Sequence, residues 1–284
     1  MKQLVVAVSG MSAVDSPAPG VPVLRSLKES SLNLKLIGFG YGALEPGNFM
    51  TELLSNSYLL PYPSSGANAL LDRIRYIHSI EKIDVIVPTL DSELDNYIQI
   101  SDELKSMGIK MFLPEKKELH TRDKTYLKES LSDTDVNLPD TYTAQEVSAI
   151  RQICEKLEYP VFVKGVFYEA YLARNYEEAV GLFYSMSAKW GVPVIFQKSI
   201  VGEECNVCAL AKDGNMIGAV VMEKLFLTDK GKAWAGVTIN NPDVLELSKK
   251  ILKHIHWNSS RELEFIVENK TNKLYLEIRS AYLN

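Results

Sequence analysis

The chain has 284 residues, a formal net charge of −5, and 46% hydrophobic against 24% charged residues, a composition typical of a globular protein with two or three subdomains. The negative charge argues against a general nucleic-acid binder, which needs a surplus of basic groups to neutralise phosphates. No apolar run reaches the length of about 18 residues that a membrane-spanning helix requires, so we expect neither a nucleic-acid nor a membrane partner.

The first 113 residues alternate between strand and helix patterns. Strands are predicted at 4–9, 34–38, 85–88 and 110–113, and helices at 21–29, 70–79 and 98–107. This alternation predicts a parallel sheet covered by helices, with ligands beyond the carboxyl ends of its strands. The polar cluster at 89–93 either caps the helix that follows or contacts a ligand. Because no GxGxxG motif follows the first strand, we do not expect a nicotinamide enzyme.

The rest of the chain mixes helices with longer strands. Helices are predicted at 116–131, 144–157, 177–185 and 245–254, and strands at 160–164, 192–197, 205–211 and 216–224. Asp213 and Gly214 form the dipeptide that most favours a tight β-hairpin turn between the last two of these strands.

The chain contains only three cysteines, and two of them form a CxxC motif. Cys205 and Cys208 have the spacing of redox or metal-binding pairs, but residues three apart on a strand point to opposite faces. Neither a second CxxC nor a histidine cluster completes a zinc site. We therefore favour structural cysteines over a functional pair, and reduced thiols indicate the cytoplasm.

Two carboxylates lie inside apolar strands near the end of the chain. The runs 262–268 and 273–278 flank a polar turn and predict a hairpin, with Glu264 in the first run and Glu277 in the second. On neighbouring strands they could converge on one hard cation, which prefers oxygen ligands. The alternative is that both carboxylates lie on a solvated sheet face.

Three features stand in order along these elements: Lys164 at a strand end, a polar hinge at 197–200 and paired carboxylates on the last strands. This order resembles the ATP-grasp superfamily. Within it, the chain is similar to the ATP-grasp halves of the carbamoyl-phosphate synthase large subunit and to related small carboxylate-amine ligases. The resemblance implies an α/β fold: a preATP-grasp domain with a Rossmann-like parallel sheet (1–113), followed by a two-subdomain α+β ATP-grasp fold. The small subdomain with its leading helix would span 114–198, and the metal-binding subdomain 199–284.

The resemblance also implies a role for individual residues. The residues implied to bind the nucleotide are Lys124, Lys164 and Lys224 at the phosphates, Gln197, Lys198, Ser199 and Ile200 at the adenine, and Glu204 at the ribose. Glu264 and Glu277 match the magnesium ligands. Arg279 is a candidate catalytic residue that could stabilise transferred charge. Each lysine alone would more commonly be a surface residue, whereas the ordered set favours a nucleotide site.

Three departures from the family pattern affect this interpretation. The Gly-rich loop that usually follows the second phosphate-binding residue is replaced by a segment with Gly165 alone. Arg279 occupies the position of an asparagine ligand, and a guanidinium offers a cation no lone pair, so we expect weakened metal binding. Only seven residues follow Glu277, which predicts that a copy of this chain or a partner subunit completes the substrate side, or else that the site is open or the chain shortened.

The implied activity is that of an ATP-dependent carbon-nitrogen ligase that activates a carboxylate as an acyl phosphate for attack by an amine or a similar nucleophile. Its cofactors would be ATP and Mg²⁺, with Mn²⁺ as a substitute, and its substrate a small carboxylate or peptide. The main alternative is a non-catalytic or partner-completed subunit that binds nucleotide in a regulatory or structural role. A third hypothesis, a plain sugar- or nucleotide-binding α/β protein, is supported only by the first half of the chain.

Overall fold

A computed structural model describes residues 2–14, 17–119, 129–165, 169–227 and 233–277. Within these ranges, three β-sheets follow one another along the chain, one of them parallel and two antiparallel. None of the helices in the described ranges has the length and apolar character needed to cross a membrane.

The first sheet is parallel, as the alternation of strands and helices predicts. Its strands are β1 (Leu4–Ser9), β2 (Leu34–Gly40), β3 (Asn56–Leu59) and β4 (Val85–Val87), in the order β3-β2-β1-β4. The helices beside it are α1 (Gly20–Glu29), α2 (Ala67–Glu81), α3 (Leu94–Gln99) and α4 (Ser101–Ser106). Val6 and Val8 of β1 pack with Leu24 of α1, whereas Ala7 packs with Ile74 of α2. Both faces of the sheet are therefore covered, which explains its continuous apolar strands.

The second sheet is antiparallel and carries its helices on one face. Its strands are β5 (Thr141–Ala144), β6 (Val161–Lys164), β7 (Ala170–Ala173) and β8 (Val194–Lys198), in the order β5-β8-β6-β7. The helices are α5 (Ile150–Leu157) and α6 (Tyr176–Trp190). Val163 and Phe196 belong to the core that these helices cover. Since neighbouring residues of a strand face opposite ways, Lys164 and Gln197 lie on the other face.

The third sheet is the largest and is also antiparallel. Its strands are β9 (Gly202–Lys212), β10 (Asn215–Leu227), β11 (Ala233–Ile239), β12 (Ser259–Glu268) and β13 (Leu274–Glu277), in the order β11-β10-β9-β12-β13. Helix α7 (Pro242–His254) covers the face that carries Val207 and Phe265. Asp213 (φ 51°) and Gly214 (φ 74°) form the turn between β9 and β10, which confirms the predicted hairpin.

Several predicted elements differ from the structure. The predicted strand at 110–113 makes only a single bridge between Val85 and Lys110, and Pro114 lacks the N–H needed to continue a ladder. The predicted helix at 98–107 is divided at Ile100 into α3 and α4. The predicted helix at 144–157 begins only at Ile150, because Ala144 belongs to a strand. Strands β3, β5, β7 and β11 were not predicted, and most of the predicted helix at 116–131 lies outside the described residues.

The two cysteines of the CxxC motif do not form a disulfide or a shared site. Cys205 is buried and Cys208 is exposed, as the opposite faces of a strand require, and both are free thiols. Burial raises the pKa of the Cys205 thiol to about 11, which makes it a poor nucleophile near neutral pH.

A buried carboxylate lies between the carboxyl ends of β1 and β4. Glu93 is 1% exposed and accepts hydrogen bonds from Ser9 Oγ at 2.6 Å and from Tyr41 Oη at 2.7 Å. The Thr89 N–H donates to Ser9 Oγ at 2.9 Å. The polar cluster therefore links the strand ends; the predicted helix cap is absent, since neither of the short helices that follow has a side-chain cap. Burial raises the pKa of Glu93, and the hydrogen bonds offset this only in part.

We expect the Glu93→Gln variant to gain stability relative to the wild type as the pH rises. A carboxyl group whose pKa is raised by folding adds stability below about pH 4.3, the ordinary pKa of glutamate, and that stability is lost as the pH rises through the folded-state pKa. Glutamine cannot ionise, so its variant escapes this loss. Urea unfolding at a series of pH values measures the difference, and Glu103→Gln, at an exposed position on α4, serves as the control. Parallel pH profiles of wild type and Glu93→Gln would contradict the expectation.

Candidate functional site

The two predicted carboxylates on the last strands lie directly opposite each other. Glu264 of β12 is the register partner of Glu277 of β13, and on its other side Glu264 pairs with Asn206 of β9. Leu263 and Phe265 belong to the core against α7, so Glu262 and Glu264 lie on the opposite face of the sheet. Glu277 is 6% exposed, and hence the alternative of a solvated sheet face does not hold.

Glu277 is ion-paired with a lysine from the second sheet. Lys164 Nζ lies 3.1 Å from Glu277 Oε1, and both side chains are 5% exposed. Lys164 Nζ also donates to Gln197 Oε1 at 2.6 Å, and Gln197 Nε2 donates to Thr141 Oγ1 at 3.1 Å. Removing two charges from water costs several kcal/mol for each ion before their attraction offsets it. This pair joins the open face of the second sheet to the third sheet.

A second buried lysine lies between two carboxylates. Lys224 Nζ is 3.1 Å from Glu204 Oε2 and 3.4 Å from Glu264 Oε1. The lysine side chain is 2% exposed, and those of Glu204 and Glu264 are 25% and 13% exposed. Strands β9, β10 and β12 each contribute one member of this group. The structure thus brings together both described lysines of the predicted phosphate set, the predicted ribose acid and both predicted metal ligands.

A further buried polar pair adjoins these residues. Asn206 Nδ2 donates to Glu262 Oε1, and the two residues are 4% and 8% exposed. Sequence reasoning missed both residues, and it also missed Thr141. Glu262 carried a usable signal, because it precedes Glu264 by two positions and so shares its face of the strand. Asn206 carried none, since its place depends on the register between β9 and β12.

Three further predicted site residues lie at the connection between the second and third sheets. Lys198, Ser199 and Ile200 are partly buried in the connection between β8 and β9 and at its edge. The Lys198 N–H donates to the Asp140 carbonyl at 2.9 Å. Lys124 and Arg279 lie outside the described residues.

The donor chemistry suits a hard divalent cation, but the described residues include no preformed group of acidic metal ligands. Within the described ranges, no three histidine, cysteine, aspartate or glutamate side chains are grouped so as to hold a metal ion. Glu264 and Glu277 supply the carboxylate oxygens that such cations prefer. A cation bound by Glu277 would therefore compete with Lys164 for the same carboxylate.

The backbone fold has counterparts among solved structures. The alignment with N5-carboxyaminoimidazole synthetase from Staphylococcus aureus covers 96% of this chain and 69% of the synthetase chain, with a TM-score of 0.65 and 14% identity. The alignment with the biotin carboxylase domain of Hydrogenobacter thermophilus 2-oxoglutarate carboxylase, complexed with MgADP, covers 96% of this chain and 62% of the carboxylase chain, with a TM-score of 0.67 and 19% identity. The alignment with D-alanine–D-alanine ligase from Bacillus anthracis, complexed with ATP, covers 100% of this chain and 87% of the ligase chain, with a TM-score of 0.61 and 16% identity.

The chain has the ATP-grasp fold. No protein-family model matches the sequence, and neither does any curated protein. At this low identity the ATP-grasp likeness concerns the arrangement of the backbone, and it confirms the predicted fold class. The chain spans less than two thirds of the biotin carboxylase chain that it matches.

In this chain, the described site residues lie where the second and third sheets meet. Lys164 and Gln197 come from the second sheet, and Lys224, Glu264 and Glu277 come from the third. Buried groups of both signs therefore face each other across a boundary between two separately formed sheets.

Proposed function

We propose that the chain is an ATP-dependent ligase that joins a carboxylate to an amine or a similar nucleophile. The observation that carries the proposal is the pair of opposed carboxylates Glu264 and Glu277, each ion-paired with a buried lysine from another strand. Four charges, three with side chains no more than 5% exposed and Glu264 partly buried, add little stability, because desolvation offsets most of their attraction. They suit a site for a polyanion and a cation, which phosphoryl transfer requires.

The nucleotide is proposed to lie between the second and third sheets. Lys124, Lys164 and Lys224 would neutralise its phosphates, Gln197 and the segment Lys198, Ser199 and Ile200 would contact its adenine, and Glu204 would contact its ribose. Two of the matched ligases contain ADP with magnesium or ATP, which supports adenine nucleotides and Mg²⁺ as the ligands to test first; Mn²⁺ is a further candidate.

ATP would supply the phosphoryl group that converts the substrate carboxylate into an acyl phosphate. Nucleophilic attack by the amine then forms the C–N bond, releases inorganic phosphate and requires the amine to lose a proton. The contribution of this chain would be to hold positive charge where negative charge develops. Lys164 and Lys224 contact Gln197, Glu204 and the two carboxylates that we propose as metal ligands. Preorganised charges of this kind need no reorganisation during the reaction.

A nucleotide-binding subunit without catalytic activity is the second candidate. It is favoured by Arg279, which stands at the position of an asparagine ligand in the family pattern and offers a cation no lone pair. The similarity to carbamoyl-phosphate synthase, the homodimer or partner subunit, and the cytoplasmic location are proposed on the sequence alone.

We expect ATP or ADP with Mg²⁺ to raise the melting temperature of the wild-type protein. The Lys164→Ala variant should bind the nucleotide more weakly by roughly 1–3 kcal/mol, the range for a lost charged hydrogen bond. Thermal-shift titration provides the measurement, and Lys212→Ala, at an exposed position on β9, provides the control. If no adenine nucleotide stabilises the wild type, nucleotide binding is ruled out.

Release of ADP separates the two candidates. The ligase requires ADP to appear only when both a carboxylate and an amine are added, which a screen of amino acids and small carboxylic acids can test. A protein that binds ATP tightly but releases no ADP with any pair would instead be the non-catalytic subunit.

A further inference from the structure

Asn206 and Glu262 form a buried polar pair that the proposed ligase mechanism does not use. Asn206 lies on β9 and Glu262 on β12, and the amide nitrogen of Asn206 donates to Glu262 Oε1. The two residues are 4% and 8% exposed. Further along the same face of β9, by contrast, Cys208 and Leu210 are exposed. On β9, burial of this face therefore ends beyond Asn206.

The carbonyl oxygen of Asn206 has no hydrogen-bond partner among the described residues. Its own amide nitrogen is already used by Glu262, so the side chain is held with the carbonyl oxygen in the same polar cluster. A buried acceptor without a partner is uncommon in native structures and calls for an explanation such as a bound ion or ligand.

The strand register places Asn206 beside two glutamates. Asn206 is directly opposite Glu264 across the β9–β12 ladder, and Glu262 precedes Glu264 by two residues on the same face. An amide carbonyl and two carboxylates are the ligand types that Ca²⁺, Mg²⁺ and Mn²⁺ select. This set contains only two acidic side chains, which is consistent with the absence of any cluster of three acidic, histidine or cysteine ligands in the described ranges.

We propose that Asn206 and Glu262, together with Glu264, form a binding site for a divalent cation. The proposal rests on the proposed ligase function and deepens it, because it assigns an amide oxygen ligand from β9 to a chain that carries Arg279 at the family's asparagine position. The cation would thus be bound toward β9, away from Glu277 and its partner Lys164, and there it would compete with Lys224, whose Nζ lies 3.4 Å from Glu264 Oε1.

The test is a titration of the protein with Mn²⁺ in the absence of nucleotide and substrate. Binding is measured as the loss of the electron paramagnetic resonance signal of free Mn²⁺. We expect Glu262→Gln and Asn206→Leu each to weaken Mn²⁺ binding by about tenfold or more, the effect typical of lost groups around a metal. Asn206→Asp keeps an oxygen at this position and should retain binding. Glu203→Gln is the matched control, because it removes a carboxylate from the neighbouring, exposed position on β9.

The outcomes separate this inference from the proposed function. If Glu264→Gln weakens Mn²⁺ binding but Asn206→Leu and Glu262→Gln do not, the inference is overturned and the ligase site stands. The inference also fails if Asn206→Leu and Glu262→Gln leave Mn²⁺ binding unchanged and alter only how ADP release depends on the amine. Circular dichroism melting with EDTA identifies misfolded variants, and Asn206→Asp then decides the question, since loss of binding in a folded Asn206→Asp protein contradicts a role for the oxygen.

Discussion

Replacing Lys164 with methionine is expected to lower the free energy of unfolding by about 3–5 kcal/mol, the usual cost of breaking a buried ion pair from one side. The side chains of Lys164 and Glu277 are each 5% exposed, so water cannot replace the lost ammonium group. Methionine fills much of the same volume, which keeps a cavity from contributing to the loss. The loss therefore measures the buried charge left on Glu277.

A double-mutant cycle with Glu277→Gln isolates that charge. The double variant Lys164→Met with Glu277→Gln should recover a large part of the stability, because the buried group that faced the Lys164 ammonium is then neutral. Lys189 and Glu169 provide the control pair, since they lie 3.0 Å apart with side chains 53% and 29% exposed. Breaking such a pair should cost about 1 kcal/mol or less. Equal losses at the two pairs, measured by urea unfolding, would show that Lys164 and Glu277 are not effectively buried.

Replacing Lys224 with methionine is expected to reduce turnover by about 10²–10³-fold, the effect of losing one preorganised group that stabilises charge in the transition state. Lys224 is held between Glu204 and Glu264, which fixes its ammonium group beside the proposed metal ligands. Because the group is already in place, its effect should fall mainly on kcat.

The measurement is ADP release with the carboxylate and amine pair found by screening, together with the dissociation constant for ATP. Lys212→Met is the matched control, because Lys212 is exposed on the same sheet. Unchanged kcat in a folded Lys224→Met protein would leave Lys224 with a purely structural role between its two carboxylates. A loss confined to KM would place it in nucleotide binding instead.

Local sequence patterns determined much of the fold. Alternation of apolar strands and amphipathic helices was enough to predict the parallel sheet, and the dipeptide Asp213-Gly214 was enough to predict the β9–β10 hairpin. Short strands such as β7 (Ala170–Ala173) escaped prediction, because a few residues give too little pattern to distinguish a strand from a loop. Ala144 and its neighbours fitted a helix pattern but pair with β8, since tertiary pairing overrides a weak local preference.

For the candidate site, the sequence by itself determined which residue types lie at strand ends and inside the last hairpin. It also placed Glu264 and Glu277 on adjacent strands, because a hairpin is a local structure. Only the tertiary structure decided that Lys164 pairs with Glu277, 113 residues away, and that Asn206 lies opposite Glu264. These contacts depend on which strands become neighbours and in what register, and that choice is made by the packing of whole sheets and helices rather than by any local pattern.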